Sequence, residues 1–235
     1  MDLKIGCCGF PTARKNYYQH FEMVEVQRTF YRLPRPETAE QWREEVPKGF
    51  EFTLKAWQLI THPPGSPTYR KLGKRFSEEE KGKYGFFRPT DEVFSAWEKT
   101  EEIARILKAR VIVFQCPGTF RPTDDNKENL RRFFGSIKNK NYLLAWEPRG
   151  KWEDYEIKVL CDEFGLIHCV DPFKNSPVSG ELRYFRLHGR DGYHYKYSEE
   201  DFRELKEKIG KADSCYCLFN NVAMWQDAQR FKELL

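Results

Sequence analysis

The stretch YFRLHGR, Tyr184 to Arg190, sets Arg186 and His188 two residues apart in an otherwise apolar run. Alternate residues of a strand face the same side, so both would project from one face near the strand's end. An arginine there grips an anion through a planar fork of donors, and a histidine exchanges a proton near neutral pH. The arrangement recurs along the chain. Glu147 closes the run YLLAWEP, Asp171 closes LIHCVDP, Lys55 closes FEFTLKA and Gln115 closes RVIVFQC. Glu25 and Gln27 alternate in VEVQRTF, and Asn220 and Asn221 end SCYCLFNN. A carboxylate before proline can cap a turn, and a histidine before glycine can bond a loop carbonyl, so each residue alone has an ordinary explanation. Charges at the ends of buried strands are costly without partners, and their recurrence at most of these ends points to one shared ligand site.

Three chemistries suit this set. The first is acid–base catalysis on a small anionic molecule, phosphorylated or sugar-like. Glu147 would be the general acid or base, Lys55 and His188 would polarise the substrate or relay protons, and Arg186 with Arg149 would hold the anion. This reading needs no cofactor. The second is a metal-dependent phosphodiesterase, nuclease or isomerase, with Glu25, Glu147, Asp171 and His188 as ligands of a divalent ion. Lys55 and Arg186 in the same mouth would oppose that cation. The third is a nucleic-acid-binding module without catalysis, motivated by basic and aromatic residues interleaved between Tyr69 and Arg88.

The elements that must position these residues are eight short apolar runs, bounded by Gly, Pro, Asn or Asp and separated in most cases by stretches of helical spacing. In SEEDFRELKEKIG, Phe202, Leu205 and Ile209 share a face, and Ser198 with Asp201 forms a capping box. Pro36 opens a helix that carries Trp42 and Val46 inward, a helix from Val93 to Lys108 buries Val93, Trp97, Ala104 and Leu107, and MWQDAQRFKELL closes the chain as a helix. Eight strands alternating with helices predict an α/β fold, a (β/α)8 TIM barrel, with the polar strand ends at its C-terminal mouth. Only nine residues separate Phe173 from Glu181 inclusive, so the crossover helix after the sixth strand is predicted to be missing or a single turn. No repeat or linker divides the chain, which predicts one domain over residues 1–235.

One connection is too long. Residues 57–89 take 33 positions to leave the third strand, where a few usually suffice. Arg70, Lys71, Lys74, Arg75, Lys81, Lys83 and Arg88 stand there against Glu78, Glu79 and Glu80, a surplus equal to the chain's net charge of +4. With Tyr69, Phe76, Tyr84, Phe86 and Phe87 to cover a ligand, and Gly65, Gly73, Gly82 and Gly85 as hinges, the segment is predicted to be a basic lid over the mouth, the alternative being a solvated surface loop on the same face.

Composition sets the outer bounds. Hydrophobic residues at 40% and charged residues at 32% give a globular protein, and no run approaches the length of a spanning helix, so a cytoplasmic protein without membrane contact is expected. The seven cysteines are odd in number and lack a C-x-x-C pair, which reads as small buried hydrophobes rather than a zinc site. Neither composition nor pattern gives an oligomeric state.

The motifs at the strand ends resemble the YecE-like family of TIM-barrel proteins, a domain of unknown function. The matching stretches are VEVQRTFYRLP, GFEFTLKAWQLITHP, FQCP, AWEPRGKW, FRLHGR and YCLFNN, which run through nearly the whole chain. The resemblance implies the barrel independently and marks Glu25, Lys55, His62, Gln115, Glu147, Arg149, Arg186, His188 and Asn220 as motif positions. It brings no reaction with it. The chain departs from the family pattern at Gly6 to Phe10, where a Gly-x-Ser-Gly-Trp run is usual, at Gln27 in place of Asn, and at Val222 in place of Asp. No role is therefore expected of a hydroxyl on the first strand or of a carboxylate after the eighth.

Overall fold

The computed structural model describes residues 2–73, 76–137, 142–210 and 212–235. Lys74 and Arg75, two of the lid's basic residues, lie outside the described residues. Each apolar run forms a strand: β1 (Asp2–Cys8), β2 (Met23–Val26), β3 (Glu51–Lys55), β4 (Val111–Gln115), β5 (Leu143–Glu147), β6 (Ile167–Val170), β7 (Leu182–Leu187) and β8 (Ser214–Phe219). Neighbours pair in parallel, and β1 pairs with β8 from Asp2↔Ser214 to Cys7↔Phe219, which closes the sheet into a barrel. The helices are α1 (Arg14–His20), α2 (Arg28–Tyr31), α3 (Pro36–Glu45), α4 (Gln58–Thr61), α5 (Glu78–Lys81), α6 (Asp91–Leu107), α7 (Asp124–Ser136), α8 (Asp154–Phe164), α9 (Glu199–Ile209) and α10 (Met224–Glu233). The architecture is a (β/α)8 TIM barrel. None of the helices is long and apolar enough among the described residues to cross a membrane.

No helix lies between β6 and β7, as the short connection required. The gap is closed by loop backbone: Val178 N donates to His168 Nδ1 at 3.2 Å, and His168 N donates to the Ser179 carbonyl at 3.2 Å. β2 is shorter than its sequence pattern suggested, since Gln27 has helical backbone (φ −82°, ψ −27°) and begins α2. The cause is Thr29, whose hydroxyl lies 2.8 Å from the Val26 carbonyl and 2.7 Å from the Lys55 carbonyl and so fastens the ends of β2 and β3 together.

Inside the barrel, Met23, Val113, Ala145, Cys169, Leu182 and Leu218 pack as one apolar cluster. At the N-terminal end Lys4 and Tyr216 both bond Glu51, so that polar layer is satisfied internally. Between sheet and helices the filler is aromatic: Phe87, Phe114, Phe133 and Phe134 meet at ring separations of 5.2 to 5.9 Å. The seven cysteines are free and buried.

The segment 57–89 is fastened at its base. Gly85, Phe86 and Phe87 donate backbone hydrogen bonds to Leu59, Thr61 and Ile60, so the two ends of the excursion bond each other. Gly85 holds φ +76°, and a side chain there would bring a Cβ within 2.4 Å of the His62 carbonyl group. Phe87 is wholly buried, and Phe76 packs between Tyr69 and Tyr84 at 5.3 and 5.1 Å. The residues offered to a ligand as hinge and cover are thus used in part to hold the loop to the barrel.

Candidate functional site at the barrel mouth

The inward alternation along each strand brings the polar ends of β2, β3, β4, β5 and β7 into one layer above the apolar cluster. Arg186 is its centre. This wholly buried guanidinium reaches Glu147 Oε2 through Nη1, approaches Gln115 Oε1 at 3.3 Å, and sets Nη2 2.9 Å from Glu25 Oε1. The Glu25 contact is an ion pair out of line for a hydrogen bond, and Arg186 Nε has no partner among the described residues. Below it, Tyr184 donates to Glu25 Oε2 at 2.8 Å, and its oxygen lies 2.7 Å from the Thr53 hydroxyl. Gln27 donates to Glu25 Oε1 from the side. Two carboxylates facing a shared guanidinium satisfy the requirement that a buried charge be paired.

From Glu147 the network continues outward. Arg149 donates from Nε to Glu147 Oε1 at 2.8 Å and lies with Nη2 2.6 Å from His188 Nε2. Arginine only donates, so Nε2 is the acceptor and the imidazole proton sits on Nδ1, 3.6 Å from Asp171 Oδ2. Asp171 also accepts from the backbone N–H of His188 and of Phe173, each at 3.1 Å, which fixes the end of β7. A cavity of about 350 Å³ opens beside these groups, lined by Glu147, Arg149, Asp171, Lys174, Asn175 and His188.

Lys55 stands apart. Its backbone is pinned in β3, but Nζ makes no hydrogen bond or ion pair among the described residues and lies 3.6 Å from the centre of the Phe30 ring. Burial, and then the nearby Arg186, pull its pKa down to about 7 against the opposing pull of Glu147 and Glu25. Glu147 goes the other way. Burial would raise its pKa, but Arg186 and then Arg149 overcome this and hold the carboxyl well below the usual range. Glu147 therefore stays ionised at neutral pH and has no proton to give, which removes the general-acid half of its expected role. His62 is buried edge-on against Phe30 at 4.9 Å with Nδ1 2.8 Å from the Thr61 hydroxyl, and burial, with Lys55 and Arg149 nearby, pulls it down to about 3. It is neutral at ordinary pH and walls the mouth without carrying charge.

Two expected residues do not join the network. Asn221 is buried away from the cavity, its amide donating to the Tyr195 carbonyl and to Asp227 Oδ2, both at 2.7 Å. Asn220 is half-buried, and its backbone N–H extends the β7–β8 ladder to the Leu187 carbonyl at 2.8 Å. Conversely, strand alternation puts Tyr184 on the face of Arg186 without a role being read from it, while Phe30 and the Lys174–Asn175 pair leave no periodic signal because they sit on the single-turn helix α2 and on a loop.

The donor set for a divalent ion fits poorly. Arg186 occupies the space between Glu25 and Glu147, and Arg149 covers the remaining Glu147 oxygen, so a cation would meet two guanidinium groups where it needs free carboxylates. Among the described residues no three His, Cys, Asp or Glu side chains converge as ligands.

Comparison with known proteins agrees with this frame. UPF0759 protein YunF of Bacillus subtilis (strain 168) is 22% identical over 258 residues, covering 93% of this chain and 84% of that protein. A solved DUF72 family protein from Enterococcus faecalis V583 superposes with a TM-score of 0.76 at 21% identity, over 99% of this chain and 97% of that one. Another from Thermotoga maritima MSB8 gives 0.73 at 22% identity, over 100% and 99%. These structural likenesses show the fold alone. The sequence profile described as "Protein of unknown function DUF72" matches residues 11–235, and the chain therefore belongs to the DUF72 family.

Proposed function

We propose that the protein is an enzyme that performs acid–base chemistry on a small anionic molecule, phosphorylated or sugar-like, bound in the C-terminal mouth of the barrel. The observation that carries this reading is a relay of ion pairs and hydrogen bonds through Glu25, Arg186, Glu147, Arg149, His188 and Asp171, which ends at a cavity of small-molecule size while Lys55 makes no hydrogen bond or ion pair among the described residues. Stability alone would favour apolar fillers in the upper layer of a barrel, so the cost of burying these charges calls for a use. The roles differ from those the sequence suggested. Lys55, poised near neutrality, is the proton-transfer group. Glu147, held as the anion, and Glu25 aim Arg186. Arg149, Lys174 and the imidazole of His188 face the cavity and take the anionic group of the substrate. No divalent ion enters the scheme, because Glu25 and Glu147, two of the three carboxylates it would need, are engaged by guanidinium groups.

The test is a thermal-shift screen of inorganic phosphate, phosphorylated sugars, sugar acids and neutral sugars against the wild type and Arg149→Gln. Anionic compounds should raise the melting temperature of the wild type, with the gain lost in the variant and neutral sugars inert. Arg149 is partly exposed, so the variant should fold. Stabilisation by neutral sugars equal to that by anions, or none by any compound, would refute the reading.

A further inference from the structure

We propose that Lys55 is a nucleophilic amine that condenses with the carbonyl group of a small anionic aldehyde or ketone, forming a Schiff base in the barrel mouth. The inference deepens the reading above by naming the substrate's reactive group, gives Lys55 the part of nucleophile in place of proton transfer, and rests on that reading for the anionic part alone.

A buried lysine that serves structure or charge recognition is held by a carboxylate. Two carboxylates are near Lys55, and both are taken: Glu25 by Arg186, Gln27 and Tyr184, and Glu147 by Arg186 and Arg149. The amine is left over the face of Phe30 at 3.6 Å, in a residue only 6% exposed. Burial, with Arg186 nearby, penalises the ammonium by more than the Phe30 face and the carboxylates offset, and so favours the free base, the form with a lone pair to attack a carbonyl. The groups facing it agree. Arg186 from β7 and Arg149 from the loop after β5 repel a proton on Lys55, Glu147 from β5 and Glu25 from β2 partly offset them, and His62 after α4 is neutral. The Thr29 hydroxyl contacts the Lys55 carbonyl and ties the strand end to β2, and the side chain lies against Phe30, which together place the amine.

The step balances without an oxidant. Neutral Nζ attacks the carbonyl carbon, a C–N bond forms, and the π pair moves to oxygen, which takes a proton. The resulting carbinolamine loses its hydroxyl as water after a second protonation, leaving a positively charged iminium. The net change is ammonium plus carbonyl to iminium plus water. The iminium inherits the place of the ammonium over the Phe30 ring, where a cation meets the negative face of the aromatic system. Lys55 does not line the cavity, so the substrate would lie between them, with its anionic group extending past Glu147 to Arg149, Lys174 and His188 on the cavity wall.

The experiment traps the iminium. Wild-type protein is incubated with glyoxylate, the smallest anionic aldehyde, or with acetaldehyde as its neutral counterpart, in the presence of sodium cyanoborohydride from pH 6 to 9. Peptide mapping by mass spectrometry then follows each lysine. At pH 7 an ordinary lysine is almost wholly protonated and one of pKa about 7 is half free, so Lys55 should be alkylated by glyoxylate at least about tenfold faster than the other lysines. The fast reaction should slow below pH 7 and vanish in Lys55→Arg. Arg149→Gln should slow labelling by glyoxylate and leave acetaldehyde unaffected. Labelling of Lys55 by both aldehydes no faster than that of surface lysines overturns the inference, with no variant needed. If anions stabilise the protein through Arg149 while Lys55 stays unlabelled, the inference falls and the functional reading stands. Equal labelling by both aldehydes, indifferent to Arg149, keeps the amine and overturns the anionic class.

Discussion

Lys55 is expensive to keep. Its folded-state pKa, near 7 against an ordinary 10.5, lies below that of the unfolded chain, so the unfolded state binds more protons between the two values. Stability therefore rises with pH across that window, and the penalty is present in full below about pH 7, where both states are protonated. The shift sets a ceiling of roughly 5 kcal/mol on that penalty. Lys55→Met keeps the apolar stem over Phe30 and removes the charge. It should raise stability toward urea most at pH 6, by a few kcal/mol at most, and the gain should fade toward pH 10. Equal urea midpoints for variant and wild type at pH 6 would mean the ammonium is not penalised, and the free amine on which both functional readings lean would go with it. A residue that weakens the fold yet stands in the mouth fits the exchange of stability for function that active sites show.

Among the elements, the connection after β3 carries the sharpest departure from expectation. Its length and surplus of positive charge were legible in the sequence, but where its charges and rings would go was not. Lys81 pairs with Glu78, Lys83 with Glu79 and Glu92, and Lys71 lies 4.3 Å over the Tyr31 ring, so much of the positive charge is answered locally. Sequence separation hid the latch, since Leu59 to Thr61 and Gly85 to Phe87 read as unrelated stretches until the backbone brought them together. Gly85 is the residue on which the latch turns, because its left-handed φ and its approach to the His62 carbonyl both exclude a side chain. Gly85→Ala should cost about 2 kcal/mol or more, as a strained backbone and a forced displacement of residues 62–63 add together. Limited proteolysis between Pro63 and Gly85 should become faster in the variant, while a tryptic pattern matching the wild type would show that the loop is held by its aromatic packing and not by the latch. The link from β6 to β7, eleven residues from Asp171 to Glu181, is the opposite case. Too few residues for a helix left one outcome, and the sequence reading found it because chain length is a hard constraint.

On the scale of the molecule, alternation carried more information than any motif. Parallel strands buried on both faces read as apolar runs, so all eight were visible, and the polar residues at most of their inward ends pointed to the mouth. What alternation does not give is which inward residues meet. Glu25 and Tyr184 are 159 residues apart, and nothing in either stretch names the other. Only closure of β1 onto β8 and the register of every intervening pair put β2 beside β7 across the interior. The consequence is a charged cluster that belongs to the whole barrel, and its purpose can be separated from its stability. Arg186→Met leaves Glu25 and Glu147 buried without their shared cation and should cost about 3–5 kcal/mol. The triple variant Glu25→Gln, Arg186→Met and Glu147→Gln removes all three charges while keeping shape and an acceptor for the Tyr184 hydroxyl. If the cluster exists for chemistry, the triple variant should regain more than half of the lost stability in urea unfolding and show no stabilisation by the anions that protect the wild type. A triple variant as unstable as Arg186→Met would mean that the ionic layer is what holds the upper barrel together, and the argument from its cost to its use would fail.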